Sequence, residues 1–576
     1  MVVNPSPDTH PSLMLIEGAL TAIAVAVAFA LPRIGSGWFS AIERSFRKIA
    51  SRKGFSVALV GASALLLRLA ILPICPIPLP FVQDDFSFLL AANTFASGRL
   101  TNRTPPMWIH FESIQITLQP TYMSMYFPAQ GLILAAGKVF FGHPWFGLLI
   151  VNALMCAAIC WMLQAWLPPA WALLGGVIAL LRIALFSYWI NTYSGGGSIA
   201  CLGGALLLGG LPRFIRTRRL RDSLLMGVGI ALLALSRPYE GLLLCLPVGF
   251  VLGRWVFFGG NRPTFGFVIR RAALPLAIVV AAVAWLGYYD YRAFGNPLTP
   301  PYSVDRAEYA AAPYYVWQSP RPEPVYRHAV IRDFYINQEL GYAKHLHTFF
   351  GFVSENIFFK PLRTLLFFAG FALLPPLIMV RRAFLDRRIR FLLVCVVIVV
   401  SAVMVETWLI PHYFAAITPA FYALGLQMMR HLRQWKPGGK SVGITIQRFV
   451  VTLCVVLAAI RLGAEPLQLT LAKWPGGSWA ATWHGPQRLG VERKQIEDQL
   501  NQLPGKQLVI VRYAPDHSSL DEWVYNAPDI ENSKVIWARE MDTANNQDLF
   551  RYYKDRTLWL VQPDTSPVSL TPYATQ

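Results

Sequence analysis

The sequence predicts an all-α protein that crosses a membrane about twelve times and carries a small α/β domain at its C-terminal end. Of its 576 residues, 55% are hydrophobic and only 14% are charged, whereas about a quarter of the residues of a soluble protein are charged. The hydrophobic residues form blocks of about 15 to 22 residues, the length that crosses a hydrocarbon core of about 30 Å. The basic residues are concentrated in every second connection between blocks. These patterns together indicate a polytopic membrane protein.

The apolar blocks define the predicted transmembrane helices. The first block, Leu13–Leu31, follows a start without Lys or Arg, which favours a retained helix that enters from the outside over a signal peptide. A shorter apolar segment, Pro128–Phe141, is expected to lie in the interface or to re-enter the membrane. The remaining predicted spans lie near 55–76, 145–166, 170–190, 198–212, 223–236, 241–258, 272–289, 361–380, 391–410, 412–429 and 443–462.

The distribution of basic residues predicts the orientation. The connection from Arg33 to Lys53 holds six basic residues and is cytoplasmic by the positive-inside rule. Opposite connections, such as 191–198, contain none. This alternation predicts that both termini lie outside the cytoplasm, in what we expect to be a bacterial inner membrane. Further basic clusters on the cytoplasmic side are Arg213–Arg221, Arg254–Arg271, Arg381–Arg390 and Arg430–Lys440.

The net charge of +20 therefore reflects the orientation of the helices in the membrane. Because the basic residues are restricted to short connections between helices, this charge argues against nucleic-acid binding.

We predict three regions: an N-terminal extra helix with a basic cytoplasmic loop at 1–54, a transmembrane core at 55–465, and an extracytoplasmic α/β domain at 466–576. Two large outer loops, 77–142 and 290–360, interrupt the core. The C-terminal domain is predicted from helices at Pro486–Leu503 and Asn546–Tyr553 and strands at Gln507–Tyr513, Lys534–Ala538 and Thr557–Val561.

Two adjacent carboxylates, Asp84 and Asp85, stand directly outside the second predicted helix. Neighbouring carboxylates repel each other unless a cation, a proton or a helix N-terminus offsets the repulsion. One interpretation is that one of them caps the helix predicted over Phe86–Ala96. The other is that the pair performs chemistry at the outer surface of the membrane.

The surroundings of this pair resemble the GT-C superfamily of membrane glycosyltransferases, which includes protein O-mannosyltransferases, aminoarabinose transferases and oligosaccharyltransferase catalytic subunits. Those enzymes carry an acidic pair in the first outer loop, just after a helix that bears an Arg. Here Arg68 precedes Asp84 and Asp85, and Tyr126-Phe127-Pro128 stands where the family has a Tyr-Pro-Pro element. The resemblance implies a GT-C-like core.

The resemblance covers roughly residues 55–430 and implies a polyprenyl-phosphate-linked sugar donor, with transfer to an acceptor at the outer face of the membrane. In such a transfer a carboxylate takes the acceptor's proton as the new bond forms, and cationic groups stabilise the leaving phosphate. We predict Asp84 as this general base and Asp85 as its orienting partner or as the helix cap. The residues predicted to bind substrate are Arg99, Arg103, Tyr126, Tyr193, Arg237, Glu240, His412 and Tyr413, with Arg292 as a further phosphate donor.

A divalent metal ion is the one candidate cofactor. His110 and Glu112 follow the acidic pair in the same outer loop, and with Asp84 and Asp85 they would supply the oxygen-rich ligand set that hard cations prefer. Two other classes stay open, a membrane transporter and a non-catalytic membrane protein. Transporters carry internal repeats and ionisable residues at mid-membrane, and this sequence shows no clear repeat.

Overall fold

The computed structural model describes residues 12–258, 260, 262–469 and 489–574. Helices dominate this part of the chain. In chain order the α-helices are α1 (Leu13–Ala30), α2 (Ser36–Ser51), α3 (Lys53–Ala70), α4 (Gln83–Ala96), α5 (Pro128–Phe141), α6 (Pro144–Trp166), α7 (Pro169–Ala179), α8 (Tyr188–Asn191), α9 (Gly197–Thr217), α10 (Leu220–Ser236), α11 (Pro238–Phe258), α12 (Phe265–Phe294), α13 (Pro301–Tyr309), α14 (Ala329–Arg332), α15 (Gly341–Leu346), α16 (Phe349–Phe352), α17 (Lys360–Phe368), α18 (Val380–Leu385), α19 (Arg390–Val403), α20 (Thr418–Arg433), α21 (Val442–Leu462), α22 (Val491–Gln502) and α23 (Thr543–Tyr552).

Among the described residues, seven helices are long and apolar enough to cross a membrane: α1, α3, α6, α9, α11, α12 and α21. Three shorter apolar helices, Pro128–Phe141, Pro169–Ala184 and Arg390–Val403, accompany them. The predicted polytopic helical architecture is therefore confirmed, and the protein is an integral membrane protein. The predicted spans near 223–236 and 412–429 form α10 and α20, which are shorter than the seven long helices.

The prediction of one continuous helix near 361–380 was wrong. Helix α17 ends at Phe368, and the chain turns at Gly370, whose φ of 59° lies in the left-handed region. A Cβ at this position would collide with Glu17, so the glycine permits a close approach that another residue would block. The backbone resumes as a 3-10 turn that begins at Pro375.

Two further predicted spans are partly irregular. The block near 391–410 is α-helical only as far as Val403, and the block near 412–429 begins with a 3-10 turn, Pro411–Ile417, before α20. This turn places His412 six residues before the first residue of α20.

A buried ion cluster attaches α1 to the core. The Glu17 carboxylate lies 3.2 Å from Arg182 Nη1 and 3.6 Å from Arg461 Nη2. It also accepts a hydrogen bond of 3.3 Å from the backbone N–H of Ala372. All three charged side chains are at most 5% exposed. Because a buried charge is costly without a partner, this cluster fixes where α1 packs.

The first outer loop contains α4, α5 and a small antiparallel sheet. Its strands are β1 (Asn102–Arg103), β2 (Ile116–Thr117) and β3 (Thr121–Ser124), with β3 in the middle. The second outer loop contains α13 to α16 and two π-helical segments, Asp333–Leu340 and Val353–Phe359.

The C-terminal domain is a four-stranded sheet with two helices. Its strands are β4 (Lys506–Val511), β5 (Val535–Arg539), β6 (Arg556–Gln562) and β7 (Ser569–Pro572), in the order β5-β4-β6-β7. Strand β4 is parallel to β5 and β6, and β7 is antiparallel to β6. The predicted α/β character is confirmed. Of the helix predicted at 486–503, α22 forms the later part, and positions 486–488 lie outside the described residues.

This domain packs against α4 rather than standing apart. The ring of Tyr525 stacks on Phe86 with 4.8 Å between centroids, and the Arg493 guanidinium lies 4.9 Å from the centre of the same Phe86 ring. Asn93 donates a hydrogen bond of 3.2 Å to the Tyr525 hydroxyl. The helix that carries the acidic pair is therefore held from outside by the C-terminal domain.

Candidate active site

The acidic pair lies in the first turn of α4. Asp85 Oδ1 accepts a hydrogen bond of 2.9 Å from the backbone N–H of Tyr193, and its Oδ2 accepts one of 3.4 Å from the N–H of Phe81. The second bond reaches back past the helix start, as an acidic residue at the third helical position does in a capping box. Asp85 thus joins the start of α4 to the turn that follows α8.

Asp85 is buried, with 3% of its surface exposed. Burial raises the pKa of its carboxyl to about 7, and the neighbouring Asp84 raises it further, while the amides of Tyr193 and Phe81 act in the opposite direction. Near neutral pH this carboxyl is therefore partly protonated.

Asp84 is the more open of the two carboxylates, because its side chain is only half-buried. The hydroxyl of Tyr126 donates a hydrogen bond to Asp84 Oδ1. Burial raises the pKa of Asp84, while the Tyr126 hydroxyl, the Gln115 side chain and the positive charge of Arg237 lower it. A carboxylate in this state accepts a proton more readily than one in water.

Arg237 occupies the break between α10 and α11. Its guanidinium lies 4.4 Å from the centre of the Tyr413 ring and 3.3 Å from Glu240 Oε1. Its side chain is 22% exposed. Stacking on an aromatic ring and pairing with a carboxylate hold the planar guanidinium in one orientation, and its charge reaches Asp84.

His412 lies in the 3-10 turn before α20, next to Tyr413, whose ring contacts Arg237. Its Nδ1 is 2.8 Å from the Tyr188 hydroxyl oxygen, which also accepts a hydrogen bond of 3.0 Å from the His412 backbone N–H. Gly195 has a φ of 86°, and a Cβ added there would lie 2.9 Å from His412 Nδ1. The glycine run after α8 therefore makes room for this ring.

Six of the predicted substrate-binding residues are linked to the acidic pair, either directly or through the charge and the contacts of Arg237. They are Tyr126, Tyr193, Arg237, Glu240, His412 and Tyr413. Three further residues near this site were not among the predicted site residues. The side chain of Gln115 reaches Asp84. The charge of Glu406 acts on Arg237, and Lys360 donates a hydrogen bond of 2.8 Å to the Glu406 carbonyl.

The structure places the other predicted phosphate donors away from this cluster. Arg99 and Arg103 are exposed and follow the C-terminal end of α4. Since α4 has 14 residues, its ends are about 20 Å apart. Arg292 is exposed and donates to the Tyr288 hydroxyl at 3.0 Å. For Arg99 and Arg103, proximity to the acidic pair in the sequence therefore does not mean proximity in space.

His110 and Glu112 also contact other groups. Glu112 Oε1 lies 3.1 Å from Arg327 Nη1 and accepts a hydrogen bond of 3.0 Å from the Tyr309 hydroxyl. His110 Nδ1 lies 3.2 Å from the carbonyl oxygen of Arg539. These contacts join the first outer loop to the second and to the C-terminal domain. Within the described ranges, no three His, Cys, Asp or Glu side chains are grouped so as to hold a metal ion.

Comparison with known proteins gives matches only among solved structures. No protein-family model and no curated protein matches the chain. The crystal structure of ArnT from Cupriavidus metallidurans in the apo state is similar over 88% of this chain and 92% of that chain, with a TM-score of 0.50 and 12% identity. The structure of the same protein bound to undecaprenyl phosphate gives a TM-score of 0.50 and 13% identity over the same shares.

A weaker likeness is found to the archaeal oligosaccharyltransferase AglB from Archaeoglobus fulgidus, in complex with an inhibitory peptide and a dolichol-phosphate. Its TM-score is 0.45 at 12% identity, over 88% of this chain and 69% of that chain. At the level of identity seen with ArnT, a structural likeness establishes the fold alone. The predicted GT-C-like fold is confirmed as a fold: over 88% of its length this chain has the fold of the ArnT structures.

Proposed function

We propose that this protein is a glycosyltransferase that moves a sugar from a polyprenyl-phosphate-linked donor to an acceptor at the outer face of the membrane. The observation that carries the proposal is the position of Asp84, a half-buried carboxylate with a raised pKa, within reach of the Arg237 charge. A displacement at a sugar carbon needs a base on one side and a counter-charge for the leaving group on the other.

In the proposed reaction Asp84 takes the proton of the acceptor's nucleophilic group as that group bonds to the sugar carbon. The bond between this carbon and the phosphate oxygen breaks, and its electron pair leaves with the polyprenyl phosphate. Arg237 stabilises the negative charge that develops on the phosphate. Asp85 positions Asp84, because its bonds to Tyr193 and Phe81 fix the first turn of α4.

The electrostatic surroundings of Arg237 support a role in binding an anion that arrives and departs. Glu240 already pairs with the guanidinium, and the Glu406 charge acts on it as well. An arriving phosphate must compete with these carboxylates for Arg237. Such competition favours release of the phosphate product, since binding that is too tight slows turnover.

A binding experiment with undecaprenyl phosphate tests the proposal. We expect the purified protein in detergent to bind this lipid more tightly than the uncharged polyprenol, and Arg237→Gln to weaken binding by about tenfold, the usual value of a charge-assisted hydrogen bond. Arg292→Gln removes one exposed arginine outside the cluster and serves as the control. Equal affinity for the two lipids, or unchanged affinity in Arg237→Gln, would rule out this phosphate site.

We also propose that the acidic pair, the second outer loop and the C-terminal domain share the non-cytoplasmic side. The alternation of basic connections supports this orientation. Ser319→Cys and Asn532→Cys, at exposed positions of the second outer loop and the C-terminal domain, should react with an impermeant thiol reagent in intact cells. Ser45→Cys, exposed on α2, should react only after the membrane is opened. The reverse pattern would overturn the orientation.

A further inference from the structure

The connection between α1 and α3, predicted only as a basic loop, is instead a 16-residue helix, α2. It follows an apolar helix that ends at Ala30 and precedes another that begins at Lys53. Both neighbours are candidate membrane spans, so α2 lies at one membrane surface. Its sequence, SGWFSAIERSFRKIAS, places three kinds of residue on three different sides of the helix.

One side of α2 packs against the protein. Glu43 accepts hydrogen bonds of 2.7 Å from Arg433 Nη2 and 2.9 Å from Arg448 Nε. The ring of Phe39 lies 6.3 Å from that of Phe449, and Ala50 is buried. These contacts to α20 and α21 fix the rotation of α2 about its own axis, so the other two sides face fixed directions.

The second side of α2 is apolar and exposed. Trp38 is 66% exposed, Ile42 46% and Ile49 37%. Their spacing of four and seven residues places them along one stripe of a helix. Large apolar side chains that stand beside two membrane spans lose unfavourable contact with water when they enter the acyl boundary of the bilayer.

The third side of α2 is basic. Arg44 and Lys48 are exposed on it, and Arg52 and Lys53 follow at the end of the helix, also exposed. Arg47 is exposed as well but lies 3.6 Å from Glu43, at the edge of the side that packs against the protein. Because each residue turns an α-helix by about 100°, Arg44 and Lys48 lie roughly 100–140° around the helix from the middle of the apolar stripe, on the side that faces neither the stripe nor the core. At a membrane surface such residues reach the phosphate level of the headgroups.

We propose that α2 lies in the plane of the membrane interface and binds anionic phospholipid headgroups through Arg44 and Lys48. The apolar stripe enters the acyl boundary, the Glu43 side holds the transmembrane core, and the basic side meets the negative surface of the leaflet. Charge complementarity identifies the partner, since each basic side chain near an anionic membrane surface adds a favourable attraction. This surface is independent of the acidic pair and of the proposed glycosyl transfer.

Fluorescence quenching by brominated lipids tests both parts of the proposal with one probe. The full chain is reconstituted in vesicles that contain either brominated phosphatidylcholine or brominated phosphatidylglycerol at the same mole fraction. Subtracting the signal of Trp38→Phe, an exposed and conservative change, isolates the Trp38 emission. We expect both lipids to quench Trp38, and the anionic lipid to quench it at least twofold more.

The charge variants separate the two contributions. The double variant Arg44→Gln/Lys48→Gln should keep the quenching and lose the preference for phosphatidylglycerol. Arg381→Gln/Arg382→Gln removes two exposed basic residues from α18 and should leave the preference unchanged. Absence of quenching by either lipid would place α2 outside the membrane. Equal quenching by both lipids, or an equal loss of preference in the α18 variant, would overturn the headgroup site.

Discussion

The Glu17 ion cluster and the acidic pair are two sets of carboxylates whose partners differ in kind. Glu17 is one carboxylate between two arginines, Arg182 and Arg461, with all three side chains enclosed. Asp84 and Asp85 are two carboxylates held by neutral donors, a tyrosine hydroxyl and two backbone amides. A carboxylate between fixed cations stays ionised and stabilises packing. Carboxylates held by neutral donors keep a raised pKa and can exchange a proton, which is what catalysis requires.

The largest effect is expected from breaking the first set. Glu17→Gln leaves two buried arginines without their carboxylate and should lower the free energy of unfolding by about 3–5 kcal/mol, measured by denaturant titration in mixed micelles. Glu323→Gln breaks the exposed pair with Arg332 and should cost about 1 kcal/mol or less. If the two variants lose the same stability, the Glu17 cluster does not hold α1 in the way proposed.

The second prediction concerns catalysis at the acidic pair. Asp84→Asn keeps the size and the hydrogen bond of the side chain but removes its basicity, so sugar transfer should fall by about 10²-fold or more. Asp85→Asn should cost less activity, because its amide oxygen still accepts from the Tyr193 N–H. The rate of sugar transfer from the lipid-linked donor is the measurement. If Asp85→Asn is inactive while Asp84→Asn keeps its activity, the roles of the two residues are the reverse of those proposed.

A smaller effect is expected from the hydroxyl that contacts Asp84. Tyr126→Phe removes a donor that lowers the pKa of Asp84, so the rate should rise with pH at a higher midpoint than in the wild type. At neutral pH the loss should be about tenfold. Tyr122→Phe removes a hydroxyl that donates to the Asn526 carbonyl instead, and its pH profile should keep the wild-type midpoint. If the midpoint shifts by the same amount in both variants, the Tyr126 hydroxyl does not act on the pKa of Asp84 in the way proposed.

The smallest effect is a pH dependence of stability. Because burial raises the pKa of Asp85 from 3.8 to about 7, the folded protein keeps a proton that the unfolded chain releases. The stability that this proton contributes is present in acid and is lost as pH rises through about 7. Asp85→Asn does not ionise, so its stability relative to the wild type should increase by about 1 kcal/mol or more between pH 5 and pH 8. A constant difference would show that Asp85 is not buried as described.

The sequence predicted the membrane architecture because hydropathy and charge alternation depend on local composition alone. It did not predict the break at Gly370, since the neighbour that requires a glycine there, Glu17, lies more than 350 positions away along the chain. The sequence also did not predict that the basic connection after α1 is helical, because this connection has too few apolar residues for a membrane span. Only the contacts of Glu43 with Arg433 show which side of this helix faces the core.

The candidate site was predicted in part for a similar reason. Asp84, Asp85 and Arg237 stand out in the sequence because charged residues beside apolar blocks are rare. Arg99 was chosen for its nearness along the chain, and the straight course of α4 carries it away from the pair. Gln115 carries no signal in the sequence: it becomes relevant only because the loop after α4 folds back along that helix.

The packing of the C-terminal domain on α4 bears on how the protein matures. The first outer loop is synthesised long before Tyr525 and Arg493, the residues that contact Phe86. Domains generally fold in the order in which they are synthesised. The membrane helices can therefore be inserted while the helix with the acidic pair still lacks its outer support, Tyr525 and Arg493. Insertion into the membrane and the final support of α4 are therefore separate steps: the helix with the acidic pair gains its contacts with Tyr525 and Arg493 only after the C-terminal domain has folded against it.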